Sequence, residues 1–428
     1  MMNNRRFQIV LGLAAFAFVL RLAYLLLAAN HLGMAKFWNW APDTNTYWAA
    51  ASILLGEHDP IGDWALFRVG PGYAAILAVI RLVFGNNPIF PIVFSLLMGT
   101  LAPVAVFLLA YNLIKQRAVA ATAGVLAAIS PVAVSLSCHI LTDQTFFTLQ
   151  CFALVFFVRA LERRELKWYI YAGLTCGVGL LVRPSGQMWP YLFFLLPLIL
   201  PLPRAYYSRF DLWKRAAVCG ALALLISLSW MTRNYAVEGV FTFGTNSVIT
   251  ARDCVLAQVE SELTGRQIYD LRHQWSGEDH DRTPPLGEAY LLAKQRVATG
   301  YREHPDLVMK YYLRNLEENV TASNFYWELQ LPVFVGTIRA YNHHFVKWGG
   351  YLMLVLTLGG LVWLGFRRLY TALILLGVTW FYFTLPIGFS FWQGSRLHLS
   401  AEMAGNILVA FVLVSTVSAV KRLLRRLG

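Results

Sequence analysis

Charge is what this sequence has least of. Only 14% of its 428 residues are Asp, Glu, Lys or Arg, against 57% hydrophobic ones, whereas a soluble chain carries about 25% charge. That excludes an ordinary water-soluble domain, and the bilayer must be the solvent for much of the chain. Metal and disulfide patterns are missing too. The five cysteines, Cys138, Cys151, Cys176, Cys219 and Cys254, form no CxxC pair and no His-rich spacing. Four of them lie in or beside apolar runs, where a free thiol packs as a small hydrophobe. No GxGxxG follows a strand and no Walker loop occurs, which leaves a nucleotide-sugar or ATP site of the usual kind without support. Internal repeats and low-complexity tracts are absent.

The charges that are present are lopsided: 36 Lys and Arg against 23 Asp and Glu give a net charge of +13. They sit in short clusters between apolar runs and form no continuous basic face, so the partner they imply is the lipid bilayer and not nucleic acid. Candidate spans fall near 7–29, 88–112, 118–137, 142–161, 168–183, 187–203, 214–232, 346–366, 369–386 and 397–420. At about 20 apolar residues per crossing, that makes about ten transmembrane helices. These spans put every basic cluster on one side: Arg5 and Arg6; Lys115 and Arg117; Arg163, Arg164 and Lys167; Arg204, Arg209, Lys214 and Arg215; Arg367 and Arg368; and Lys421, Arg422, Arg425 and Arg426. The positive-inside rule makes that side cytoplasmic, with both termini there.

The fold class expected is therefore an all-α polytopic membrane protein. Residues 1–232 form an N-terminal transmembrane bundle with an outer loop at 30–87, residues 233–345 a small helical extracytoplasmic segment, and residues 346–428 the C-terminal transmembrane helices. Stretch 71–84 is apolar but short and carries Arg81, so it reads as an interfacial helix in the first outer loop. Within the extracytoplasmic segment, 285–320 reads as amphipathic helix broken at His304-Pro305. Its aromatics Tyr301, Tyr311, Tyr312, Phe325, Tyr326 and Trp327 point to the membrane interface. Arg5 and Arg6 before an apolar stretch resemble a signal peptide, but the length of that stretch and the interior Arg21 argue for a retained first helix. The short loops point to a bacterial inner membrane.

Polar residues that can carry chemistry all fall on the side opposite the basic loops. Asp43 follows the first span directly, where a lipid head group lies; it reads equally as a helix N-cap. Asp143 opens the fourth span, with His139 four residues earlier, and reads either as a solvated cap or as a second acid facing the same hollow, orienting an acceptor or holding a cation. Arg183 and Arg396 stand at outer span ends, against positive-inside statistics. They read as phosphate ligands or as snorkelling side chains. Arg21 lies inside the first span, where a charge costs about 2.5 to 3.5 kcal/mol, and must pair with an acid or a carbonyl. Asp279-His280-Asp281 is an acid-x-acid triplet open to a metal, but sits in the charged run GEDHDR, which reads better as a solvated loop. Asn319-Val320-Thr321 is a glycosylation sequon, of consequence only in a glycosylating pathway.

The order of these features resembles the GT-C superfamily of membrane glycosyltransferases, in the branch of protein O-mannosyltransferases and lipid A aminoarabinose transferases. The resembling residues are Asp43 with Tyr47; RVGPGYAAILAVIRLVFG at 68–85; ISP at 129–131 with Asp143 beyond it; VRPSG at 182–186; WMTRNYAVEGVF at 230–241; Ala298, His304, Pro305 and Leu307; and GSRLHLSAE before the last span. The chain departs from the pattern where Thr44 follows Asp43 and where Gly70-Pro71 opens the proline-containing helix. The resemblance implies a transferase of the cell envelope. It would move a hexosyl or pentosyl unit from a polyprenyl-phosphate-linked donor to a lipid, glycan or protein acceptor on the extracytoplasmic face. With inversion, Asp43 is the expected base, Arg183 and Arg396 the donor-phosphate ligands, and Arg21, Tyr47, His139 and Arg68 the support. The resemblance implies no particular cofactor; a divalent metal, if used, falls to Asp43 and Asp143. A lipid-linked sugar flippase or membrane transporter is the competing reading, although such proteins usually show repeats and midplane charges.

Overall fold

Inside a bilayer the backbone can satisfy its polar groups only within itself, so the apolar runs become helices. The computed structural model describes residues 4–427 except 40, 42, 202–207, 284, 322–336 and 391–392. Arg204, Phe325, Tyr326 and Trp327 thus lie outside the described residues. The helices of the first half are α1 (Asn4–Leu32), α2 (Met34–Trp38), α3 (Asp43–Leu54), α4 (Gly62–Val69), α5 (Pro71–Phe84), α6 (Ile89–Ile114), α7 (Arg117–Ile129), α8 (Pro131–Leu136), α9 (Thr142–Arg163), α10 (Leu166–Val182), α11 (Trp189–Ile199) and α12 (Arg209–Glu238). Beyond these come α13 (Asn246–Thr250), a π-helical turn (Ala251–Leu256), α14 (Ala257–Thr264), α15 (Ile268–Glu278), α16 (Leu286–Glu303), α17 (Pro305–Thr321), α18 (Thr337–Phe366), α19 (Tyr370–Thr384) and α20 (Ser395–Leu427). Among the described residues there is no strand.

The chain is an all-α polytopic membrane protein. Seven helices among the described residues are long and apolar enough to cross a membrane: α1, α6, α9, α12, α18, α19 with its 3-10 extension to Phe389, and α20. The other expected spans are shorter. Span 118–137 is not one helix but two, α7 and α8, broken at Ser130-Pro131. Pro131 has no N–H to offer the turn before it, and the Ser130 hydroxyl instead accepts from Ala133 N. Span 168–183 is α10, and 187–203 contributes only α11. Stretch 71–84 is α5, started by Pro71 at its first turn after Gly70 turns at φ 87°. The break at His304 separates α16 from α17.

Helix α9 is the hub, with 72% of its apolar window buried. Its 22 residues span about 33 Å at 1.5 Å per residue, a little more than the hydrocarbon thickness. Around its far end cluster the basic residues: Lys115 pairs with Glu162, the Arg6 guanidinium lies 3.8 Å over the Tyr111 ring, and Arg215 Nη1 donates to Arg164 O. Asp143 stands at the opposite end, a membrane's width away. All five cysteines are buried, and none of them forms a disulfide.

Candidate active site

At the Asp143 end, seven stretches distant in sequence close a cavity of about 500 Å³: the first-loop helices α3 and α4, the Thr142 corner, the Arg183 turn, α13 with the π-helical turn, Tyr301 of α16, the end of α19 with its 3-10 extension, and the start of α20. Each is placed by a local cause. The Thr44 hydroxyl donates to Ile140 O at 3.4 Å, tying α3 to the corner before α9. Gly70 and Gly72 let α5 close on α10: a Cβ at Gly72 would come within 2.5 Å of the Leu181 carbonyl carbon. Asn319 is fully buried, donating through Nδ2 to Ile387 O and Ser390 O and accepting from Gly394 N. The sequon is therefore an anchor for the corner that precedes Arg396, and its amide is in use.

The four charged residues picked from sequence meet here. Arg396 Nη2 donates to Asp43 Oδ2 at 2.6 Å and to Asp143 Oδ2 at 3.3 Å. Arg183 Nη1 lies 2.6 Å from Asp143 Oδ1 and donates to Thr142 Oγ1 at 3.2 Å. The two acids differ in access: the Asp43 side chain is 44% exposed, that of Asp143 only 2%. Asp43 is thus the carboxylate that meets the cavity, and Asp143 holds two guanidiniums from behind. Burial works against ionisation of Asp43, but Arg396 beside it, with Arg68 and Arg183 further off, holds its pKa below the ordinary carboxylate value. Tyr47 lines the cavity, and its hydroxyl bonds Thr142 Oγ1 at 3.1 Å. Burial and then the charge of Asp43 push Tyr47 up to about 12, so it stays a neutral donor.

The four supporting residues separate. Tyr47 and Arg68 line the cavity, whereas Arg21 and His139 do not. His139 stacks on Phe37 with ring centroids 4.9 Å apart, and burial lowers its pKa to about 4, which keeps it a neutral packing group. Arg21 is fully buried and donates through Nη1 to Ala17 O and Ala128 O. Carbonyls, not an acid, are its partners. Arg68 donates to Asn246 Oδ1 at 3.2 Å and lies over the Trp64 ring; among the described residues no carboxylate lies within ion-pair distance of it.

Arg252 escaped the sequence reading. It is fully buried in the π-helical turn and pairs with Asp253 at 2.7 Å, Asp279 at 2.9 Å and Asp281 at 3.2 Å. Within the GEDHDR run, Glu278, His280 and Arg282 are exposed, as a solvated loop requires, but Asp279 and Asp281 are turned to Arg252. The two aspartates fasten the turn whose first residue, Ala251, forms cavity wall, and π-helical turns recur at such functional places. No sequence pattern links Arg252 to acids so far along the chain. Among the described residues no cluster of three or more His, Cys, Asp or Glu could hold a metal ion.

Residues 68–230 match the family model of the dolichyl-phosphate-mannose-protein mannosyltransferases. The match covers under half of the chain. Among solved structures, ArnT from Cupriavidus metallidurans bound to undecaprenyl phosphate shares 14% identity with a TM-score of 0.41, the match covering 94% of this chain and 76% of that one. The same protein in the apo state shares 14% identity with a TM-score of 0.35, covering 87% and 72%. No curated protein matches the sequence. The matched stretch includes Arg68, Asp143 and Arg183; Asp43 and Arg396 come to it from outside, and the fold closes the cavity with them.

Proposed function

We propose that this chain is a glycosyltransferase that moves a sugar from a polyprenyl-phosphate-linked donor to an acceptor hydroxyl on the extracytoplasmic face of the membrane, with inversion. The observation that carries the proposal is the half-open Asp43 carboxylate in a cavity that also holds Arg68, whose guanidinium has no carboxylate within ion-pair distance among the described residues. The similarity of residues 68–230 to the mannosyltransferase family model supports the reaction class.

Asp43 Oδ2 is engaged by Arg396, while Oδ1 has no hydrogen-bond or ion-pair partner among the described residues. Oδ1 takes the proton of the acceptor hydroxyl. The acceptor oxygen bonds to the anomeric carbon as the bond from that carbon to the phosphate oxygen breaks, and the electron pair leaves with the lipid phosphate. Arg68 meets the phosphate, joined by Arg183, which is partly open to the cavity. Arg396 serves less as a phosphate ligand than as the tie between Asp43 and Asp143. A divalent metal, if used, would fall to Asp43 and Asp143, in competition with the Arg396 guanidinium for their oxygens.

Charge balance bears on the sugar. Three guanidiniums (Arg68, Arg183, Arg396) face two carboxylates (Asp43, Asp143), a surplus of one positive charge that a single phosphodiester neutralises. An ammonium sugar would have to pair with Asp43, the proposed base, and a carboxylated sugar would be a second anion. An uncharged sugar fits best.

The test is release of free polyprenyl phosphate from a panel of undecaprenyl-phosphate sugars by the protein in nanodiscs, with membrane extract as acceptor source. A glycosyltransferase releases it in a manner dependent on Asp43. If no donor is consumed while labelled donor still crosses a proteoliposome bilayer, the flippase reading takes its place.

A further inference from the structure

Two residues from the resembling motifs have no part in the reaction above: the serine of ISP at 129–131 and the glutamate that closes GSRLHLSAE. They touch. The Ser130 hydroxyl donates to Glu402 Oε2 at 2.8 Å, across 272 residues of chain. Ser130 is the joint between α7 and α8, and Glu402 lies seven residues into α20, about 10 Å along that helix. On the other side of the joint is Arg21, whose Nη1 donates to Ala128 O at 3.2 Å, at the C-terminal end of α7.

A helix broken at membrane depth leaves carbonyls that water cannot reach and that the protein must satisfy. Arg21 does this for Ala128, and its positive charge suits the negative end of α7. Room for it is made by Gly99, where a Cβ would lie 2.9 Å from Arg21 Nε and 2.3 Å from Ser137 Cβ. A buried cation from the first span and a carboxylate from the last thus grip one joint.

Beyond the joint, α8 leads within six residues to the corner at 137–142. There Cys138 Sγ donates to Arg21 O, Ile140 O accepts from Thr44, and Thr142 and Asp143 enter the site. We propose that Arg21 and Glu402 are positioning residues for sugar transfer. By holding the Ser130-Pro131 joint they set where Asp143 meets Arg183 and Arg396, and through Arg396 the aim of Asp43. Neither touches substrate. The activity readout rests on the glycosyltransferase reading; the exchange readout does not.

The experiment compares wild type, Glu402→Gln, Glu402→Leu, Ser130→Ala and Ser130→Ala/Glu402→Leu in nanodiscs, with rates normalised to folded protein. Glu402→Leu should lower kcat at least about tenfold with donor KM within about twofold, as expected of misplaced catalytic groups. Glu402→Gln, which keeps an acceptor for Ser130, should restore most of the rate. The double variant should lose less than the two single changes combined, because both remove the Ser130–Glu402 contact, while Ser130→Ala also gives up the bond from Ala133 N. In parallel, hydrogen exchange at amides 137–143 should quicken in Glu402→Leu while that of 166–182 stays unchanged. Wild-type kcat in Glu402→Leu, no rescue by Glu402→Gln, or exchange rising evenly through the bundle would overturn the proposal. A wild-type protein that consumes no donor would sink the glycosyltransferase reading, and the exchange pattern would still decide this one.

Discussion

Arg396, on the last helix, and Asp43, just past the first, are joined at 2.6 Å across 353 residues of sequence. The same guanidinium reaches Asp143 at 3.3 Å, so one side chain holds the exposed acid and the buried one in fixed relation.

Replacing Asp43 with Asn removes the proposed base while keeping the shape. Release of polyprenyl phosphate should fall by about 10² to 10⁴, with the variant still folded in the membrane by size-exclusion profile and thermal unfolding. Near-normal turnover would dismiss Asp43 as the base.

Asp143→Ala leaves Arg183 and Arg396 facing each other with one fewer acid in a largely buried place. Breaking a buried pair this way costs about 3 to 5 kcal/mol, so the melting temperature should drop well below that of Asp43→Asn. An unchanged melting temperature would mean that the cluster is open to water.

Arg68→Ala should act on the donor. If Arg68 meets the phosphate, donor KM rises and Arg68→Lys recovers part of the loss, since a lysine supplies charge without the planar fork. Equal kinetics for wild type and Arg68→Ala would move the phosphate elsewhere in the cavity.

The pH dependence follows from the direction in which Asp43 is shifted. Its folded pKa lies below the ordinary value of about 3.9, so the charged, active form persists through neutral and mildly acidic pH. Activity is lost only as pH falls through that lowered value. The stability the ion pair contributes has the same sign: present above the unfolded pKa, lost as pH drops through the folded one. Arg396→Gln should move the acid limb of kcat/KM upward; a limb that stays in place would show that Arg396 does not set the ionisation of Asp43.

Gly72→Ala tests the wall behind the site. The added methyl would meet backbone of Leu181 and Val182 that has no rotamer to change, so a destabilisation of about 1 to 3 kcal/mol is expected. Because α10 ends at Arg183, activity should fall further than stability. A silent substitution would mean that α5 is free to shift.

Much of this architecture was legible in the residues. Apolar runs and clustered basic residues specify spans and their common side, and acids and arginines at span ends on the other side mark Asp43, Asp143, Arg183 and Arg396. What escaped has physical reasons. The joint at Ser130-Pro131 hides inside an apolar run whose hydropathy does not change at the break. Asp279 and Asp281 look solvated in sequence because their partner, Arg252, is brought to them only by tertiary packing. Asn319 reads as a glycan acceptor until its amide is seen bonded to Ile387, Ser390 and Gly394. Arg68 stood among the supporting residues because nothing in the sequence reveals which arginines will find an acid and which will not.

The tie between Asp43 and Arg396 also orders the birth of the protein. A ribosome delivers the two acids to the membrane hundreds of residues before the guanidinium that joins them, so a nascent chain has an unfinished cavity until α20 inserts. Any product cut short before that helix lacks the tie altogether.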